Sequence, residues 1–202
     1  QEGEYKGRLI IPCDHIEAET NKYYSHVIYS DDHGLSWKLG GTTPFDQVNE
    51  CQAVELVDSR IMLNMRNYDR SKNTRVVSIS NDGGLTWGPL NRDPALIEPI
   101  CQGSIIRYTQ AAHQDKNRIL FSNPASETER ARMTVRLSYD EGKSWAVSKL
   151  LHEGPSAYSD LAVLPQGQIA CFYERGEVHP YEKISLASFD LSWLTNGEDV
   201  LK

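Results

Sequence analysis

One eight-residue pattern occurs three times without gaps in this chain. The copies are Ser30-Asp31-Asp32-His33-Gly34-Leu35-Ser36-Trp37, Ser80-Asn81-Asp82-Gly83-Gly84-Leu85-Thr86-Trp87 and Ser138-Tyr139-Asp140-Glu141-Gly142-Lys143-Ser144-Trp145. They share Ser-x-Asp-x-Gly-x-Ser/Thr-Trp at intervals of 50 and 58 residues. Each copy reads as a hairpin turn. Its Asp is placed to bond its own backbone two residues on, and its Gly supplies a positive φ. Its Trp is expected to bury a large ring as the chain re-enters a strand. Strand-like runs lead into the turns: His26 to Tyr29, Val76 to Ile79 and Thr134 to Leu137. Arg8 to Ile11, Arg60 to Met65, Arg118 to Ser122 and Gln168 to Tyr173 are further β-branched or alternating runs. Only Ser192 to Asp199 offers a short helix or turn. Short strands, tight turns and a period of roughly 50 residues predict an all-β chain with a β-propeller fold. A β-sandwich is the alternative, but it does not require the same turn in each period.

Composition narrows the function. The chain has 202 residues and 21 Lys+Arg against 28 Asp+Glu, a net charge of −7. Nucleic acid as a partner needs clustered Lys/Arg, so it is not expected, and no apolar run approaches a membrane span. The Gln-Glu-Gly-Glu start shows no signal-peptide pattern. Cys13, Cys51, Cys101 and Cys171 are widely spread with no Cys-x-x-Cys, and the six His show no ligand spacing, so no metal or cofactor is expected. No linker or charge block divides the chain, which reads as one domain over 1–202.

The repeated turn resembles the Asp-box, or bacterial neuraminidase repeat, of sialidases. The three boxes then lie at 30–37, 80–87 and 138–145. The resemblance implies a six-bladed propeller, of which this chain supplies roughly four blades. The box marks the fold and carries no chemistry, so function rests on other residues.

Sialic acid carries a carboxylate on its anomeric carbon. Arg fits that planar anion with a bidentate fork. The same anion repels an Asp or Glu nucleophile, whereas a neutral Tyr activated by a neighbouring base can approach. Asn49-Glu50-Cys51-Gln52-Ala53-Val54-Glu55-Leu56, followed by Arg60 to Asn67, resembles the family stretch in which a Glu precedes the second triad arginine by one hairpin. This points to Glu50 and Arg66. Strand alternation puts Asn64 and Arg66 on one face and turns Cys51 away from Glu50, into the sheet. Phe121 to Ser126, then Glu129 to Arg136, resembles the segment of the third triad arginine. Arg130 fits that placement best, with Arg132 next, and Arg136 is expected on a solvated strand face. Gly154-Pro155-Ser156-Ala157-Tyr158-Ser159 resembles the nucleophile segment and points to Tyr158. Ile169-Ala170-Cys171-Phe172-Tyr173-Glu174 resembles the strand whose Glu braces the first triad arginine, which points to Glu174. Cys101-Gln102-Gly103-Ser104 resembles a stretch near the family's active-site rim and is given no role.

The resemblance implies an exo-α-sialidase acting with retention on sialylated glycans, with Tyr158 as nucleophile, Glu50 as its base, Arg66 and Arg130 on the carboxylate, and Glu174 in support. Neither the family's first triad arginine nor its acid/base aspartate has a match before Glu50. The expectation is therefore that N-terminal blades are absent, that a second polypeptide could carry them, and that this chain alone is inactive. A non-catalytic Asp-box propeller binding glycans or proteins is the alternative, and a trans-sialidase differs only in its acceptor site. The resemblance favours a secreted or periplasmic protein, in which the four Cys could pair.

Overall fold

The computed structural model describes residues 3–201, which form thirteen β-strands, one 3-10 turn (Pro165–Gly167) and one short α-helix. They fall into two compact units, Gln1–Pro94 and Ala95–Lys202. Among the described residues, no helix is long and apolar enough to cross a membrane.

The first unit opens with a three-stranded antiparallel sheet of β1 (Leu9–Ile16), β2 (Tyr23–Ser30) and β3 (Lys38–Thr42). A four-stranded meander follows: β4 (Val48–Glu55), β5 (Ile61–Asn67), β6 (Thr74–Ser80) and β7 (Asn91–Ile97), hydrogen-bonded in chain order. Strand β7 runs across the division between the units. Val27, Val48, Leu63, Met65, Val76 and Trp87 form the core. Gly40 and Gly41 let β3 approach the second repeated turn. The Gly41 N–H donates to the Gly84 carbonyl at 2.8 Å, and a Cβ on Gly41 would lie 2.5 Å from the Leu85 carbonyl oxygen.

The second unit holds one six-stranded sheet. Its strands are β8 (Ser104–Thr109), β9 (Arg118–Pro124), β10 (Ala131–Ser138), β11 (Val147–Val163), β12 (Ile169–Arg175) and β13 (Lys183–Phe189), followed by α1 (Leu191–Leu194). The first part of the 17-residue β11 pairs with β10, and its last part pairs with β12. One strand thus closes one meander and opens the next. Leu120, Met133, Val135, Leu161, Ile169, Phe189 and Leu194 are among the core residues on which both parts rest.

The three repeats are the turns β2–β3, β6–β7 and β10–β11. Their bonding is the same in each copy. The Ser30 hydroxyl donates to Asp32 Oδ1 at 2.7 Å and accepts the Gly34 N–H at 2.8 Å, while Asp32 accepts the Ser36 N–H and hydroxyl at 2.8 and 2.5 Å. Ser80, Asp82, Gly84 and Thr86 repeat this, as do Ser138, Asp140, Gly142 and Ser144. The Asp therefore reaches four residues on rather than the two expected, because the Gly (φ 86°, 89° and 77°) folds the loop back over the carboxylate. These bonds to Ser36 and Ser30 hold the Asp32 carboxyl well below the usual range.

The tryptophans are not equivalent. Trp87 is 8% exposed, and its indole N–H donates to the Gly41 carbonyl at 2.9 Å. Trp37 is 41% exposed, and its N–H reaches only Gly34 of its own turn, at 3.2 Å. Burial was expected for every copy. It fails at Trp37 because Trp87 has the glycines of β3 to pack on, whereas Trp37 lies over its own loop.

Candidate active site

In the first unit, Glu50 and Arg66 face each other across β4 and β5. Val48 pairs with Asn67 and Cys51 with Met65, so β4 spends one extra residue at Asn49-Glu50 opposite Arg66. Such a bulge re-aims a side chain at a strand end. The Arg66 Nη1 donates to Glu50 Oε2 at 2.5 Å. The Asn49 side chain accepts the Glu50 N–H at 2.6 Å and donates to Asp14 Oδ2 at 3.0 Å, which brings a second carboxylate beside the pair. Burial raises the Asp14 carboxyl above its ordinary value, and the charge of Glu50 adds to this. The Arg66 guanidinium lies 4.9 Å from the centre of the Tyr68 ring, whose other partner is the Tyr23 ring stacked at 5.1 Å. An aromatic stack of this kind fixes a guanidinium while leaving its edge for an anion. The Cys51 thiol reaches the Cys13 carbonyl at 3.3 Å, and burial pushes it up to about 12. Among the described residues, no disulfide joins the four cysteines. The carbonyl contact puts Cys51 against the backbone of β1 rather than toward the Cys13 side chain, whose own thiol reaches the Ile11 carbonyl.

The second unit repeats the bulge at the corresponding place. Ser156 pairs with Arg175 and Ser159 with Tyr173, so Ala157-Tyr158 opposes Glu174. The Tyr158 N–H donates to Glu174 Oε2 at 3.0 Å. Tyr158 and Glu174 line a cleft of about 300 Å³ together with Gln102, Asp160, Phe172 and Ile184.

Arg130 and Arg132 are separated by a third irregularity. Strict alternation would put both on one face. Arg132 instead takes φ 66°, and the β10–β11 register shifts there, with Ala131 opposite Pro155 and Met133 opposite His152. Arg132 turns outward to an exposed ion pair with Glu153. Arg130 lies with its guanidinium carbon 5.6 Å from the Tyr158 ring centre, donates to the Tyr181 hydroxyl, and donates to the Ile100 carbonyl at 3.1 Å. Arg136, expected on a solvated face, is 6% exposed, and its Nη1 donates to Asn123 Oδ1 at 2.9 Å. It is buried because β10 lies between two strands and Asn123 on neighbouring β9 offers an acceptor.

The five residues singled out from the sequence thus form two groups. Glu50 meets Arg66 in the first unit, and Tyr158 meets Arg130 and Glu174 in the second. Asp14, Tyr68, Gln102 and Tyr181 also touch these groups and were not singled out by role. Gln102 carried a signal only as part of Cys101-Gln102-Gly103-Ser104, whose resemblance to a family stretch near the active-site rim gave it no role. Asp14 and Tyr181 carried none, since only the fold brings them near.

Residues 4–171 match the model of the BNR repeat-like domain. The chain belongs to the BNR repeat-like family. Relatives include a sialidase of Micromonospora viridifaciens, 39% identical over 195 residues, which cover 95% of this chain and 29% of the relative. A sialidase of Bacteroides fragilis is 31% identical over 178 residues, covering 86% of this chain and 32% of the relative. Among solved structures, the Hadza microbial sialidase Hz136 superposes with a TM-score of 0.82 at 28% identity, over 93% of this chain and 36% of that one. The BNR repeat-like chain therefore has the all-β fold of the sialidase propellers and spans about a third of the length of these relatives.

Proposed function

We propose that this chain carries the nucleophile, its base and two carboxylate-binding arginines of a retaining exo-α-sialidase acting on terminal sialic acid of glycoconjugates. Tyr158 attacks the anomeric carbon as the glycosidic C–O bond breaks, and the departing aglycone oxygen takes its proton from the acid/base aspartate. Glu50 takes the phenolic proton as the bond forms, which lets a weak neutral nucleophile react. Arg66 and Arg130 hold the substrate carboxylate, whose charge would oppose an anionic nucleophile. Water then releases the sugar from Tyr158 in a second displacement, so configuration is retained. Glu174 holds the Tyr158 backbone and braces a further arginine. That arginine and the acid/base aspartate come from a second polypeptide or from a further stretch of the same protein.

The observation that carries this reading is the Arg130 guanidinium set against the Tyr158 ring, beside a Tyr158 backbone bonded to Glu174. The Glu50–Arg66 contact supports it in the same way.

The test uses a chimera in which this chain replaces the matching segment of the Micromonospora viridifaciens sialidase. Tyr158→Phe should remove turnover of a fluorogenic sialoside far more than it weakens binding of a sialic acid analogue. Glu50→Gln should also lower turnover, by about 10²–10⁴-fold. A chimera without turnover, or Tyr158→Phe with full turnover, would contradict the reading and favour a glycan-binding propeller without chemistry. The 202-residue chain by itself is expected to give little or no turnover.

A further inference from the structure

The segment between β7 and β8, Glu98-Pro99-Ile100-Cys101-Gln102-Gly103, has no part in the chemistry above, yet two of its members are tied to it. The Gln102 amide bonds both backbone groups of Ser159. Its Oε1 accepts the Ser159 N–H at 3.0 Å and its Nε2 donates to the Ser159 carbonyl at 3.0 Å. This is the pair of bonds that a neighbouring strand would make. It falls at the bulge where the β11–β12 ladder passes over Ala157-Tyr158. Two residues earlier, the Ile100 carbonyl accepts Arg130 Nη2 at 3.1 Å. One short segment therefore touches both the strand bearing Tyr158 and the guanidinium beside it.

The segment is held in a conformation it would not take alone. Ile100 has φ 56°, which is rare for a β-branched residue. Strain of this kind persists only where the surroundings over-determine it. Here the fully buried Glu98 carboxylate accepts the Cys101 N–H at 3.3 Å, and Asn123 Nδ2 donates to the Ile97 carbonyl at 2.8 Å. Gly103 is packed so closely that a Cβ would lie 2.8 Å from Phe121.

We propose that Ile97–Gly103 is a template that fixes Tyr158 relative to Arg130, with Gln102 as the positioning residue for the nucleophile. The proposal rests on the roles assigned above to Tyr158 and Arg130. Gln102 lines the same cleft as Tyr158, but its amide bonds go to the Ser159 backbone, and it is through them that it positions the nucleophile. Its two polar atoms are committed to that backbone, so its loss should move the nucleophile and leave substrate binding largely intact. A displacement of about 1 Å at a reacting group can cost about 100-fold in rate.

The experiment compares Gln102→Met, which keeps length and volume but neither bond, with Gln102→Glu, which keeps an acceptor for the Ser159 N–H, in the same chimera. Turnover is counted per active site by a fluorinated sialosyl reagent that traps the enzyme covalently, and thermal midpoints are recorded alongside. Gln102→Met should lower kcat by about 10- to 100-fold with KM changed less than about threefold, and Gln102→Glu should fall between it and the parent. A lower thermal midpoint with unchanged kcat per active site would overturn the proposal, since that is what a merely structural residue does. Unchanged kcat and midpoint would overturn it as well. Tyr158→Phe separates the two levels: full turnover there refutes the assigned chemistry, whereas loss there with normal Gln102→Met refutes the template alone.

Discussion

Removing Asp199 should destabilise this protein strongly. Arg118 on β9 is fully buried. Its Nε and Nη2 donate to Asp199 at 2.8 Å each, and its Nη1 reaches Asp115 at 2.9 Å and the Thr109 hydroxyl at 3.1 Å. The Tyr139 hydroxyl donates to the same Asp199 at 2.8 Å, and Lys116 reaches it at 3.1 Å. Asp199→Ala leaves the buried guanidinium with Asp115 as its remaining acid and removes the acceptor of Tyr139. Breaking a buried pair costs about 3–5 kcal/mol. Asp115 still compensates in part, so we expect about 3 kcal/mol and a fall in Tm of about 10 °C. The double change Arg118→Met with Asp199→Leu should be more stable than Asp199→Ala, because no unmatched charge stays buried.

The pH dependence follows from the sign of the Asp199 shift. Burial alone would raise that carboxyl, but the bonds from Arg118, Tyr139 and Lys116 outweigh it and hold it well below the usual range. Its stabilisation is therefore complete above the unfolded value of about 3.9 and fades as the pH falls below it. Urea unfolding at pH 7 and pH 3 measures this, and the gap between parent and Asp199→Ala should narrow at pH 3. A loss below about 1 kcal/mol at pH 7, or a double variant less stable than Asp199→Ala, would show that the buried Arg118 does not depend on Asp199.

Two further outcomes are expected. Trp87→Ala should cost about 3–5 kcal/mol and Trp37→Ala about 1 kcal/mol or less by denaturant unfolding, since only Trp87 is buried; equal losses would contradict this. Iodoacetamide at pH 8 should modify native protein first at Cys13, because Cys101 and Cys171 are buried and burial pushes Cys51 and Cys171 up to about 12. Modification of Cys51 or Cys171 as fast as Cys13 would refute that order.

The repeats were legible because each is closed by its own residues. Ser30, Asp32, Gly34 and Ser36 bond one another, so eight letters carry the whole turn. Glu50, Arg66, Tyr158 and Glu174 were legible as a resemblance, and their pairing within each unit follows from hairpins that put strand ends side by side. What the sequence left open depends on bulges and partners. No local pattern announces that β11 runs 17 residues and changes partner midway. The choice of Arg130 over Arg132 as the arginine beside Tyr158 turns on a positive φ at Arg132, and alternation cannot supply it. Arg136 misled because a charged residue before a turn reads as solvated until Asn123 is known to face it. Trp37 misled for the opposite reason, since a tryptophan is buried only where something lies over it.

On the proposed function, Tyr158 forms the covalent link to sialic acid. The most direct test of this is mass spectrometry of the chimera after reaction with a 2,3-difluorinated sialosyl fluoride, which slows release of the trapped sugar. One added sugar is expected on the tryptic peptide holding Tyr158, and none after Tyr158→Phe. A sugar on any other residue, or an active chimera that forms no adduct at Tyr158, would contradict it.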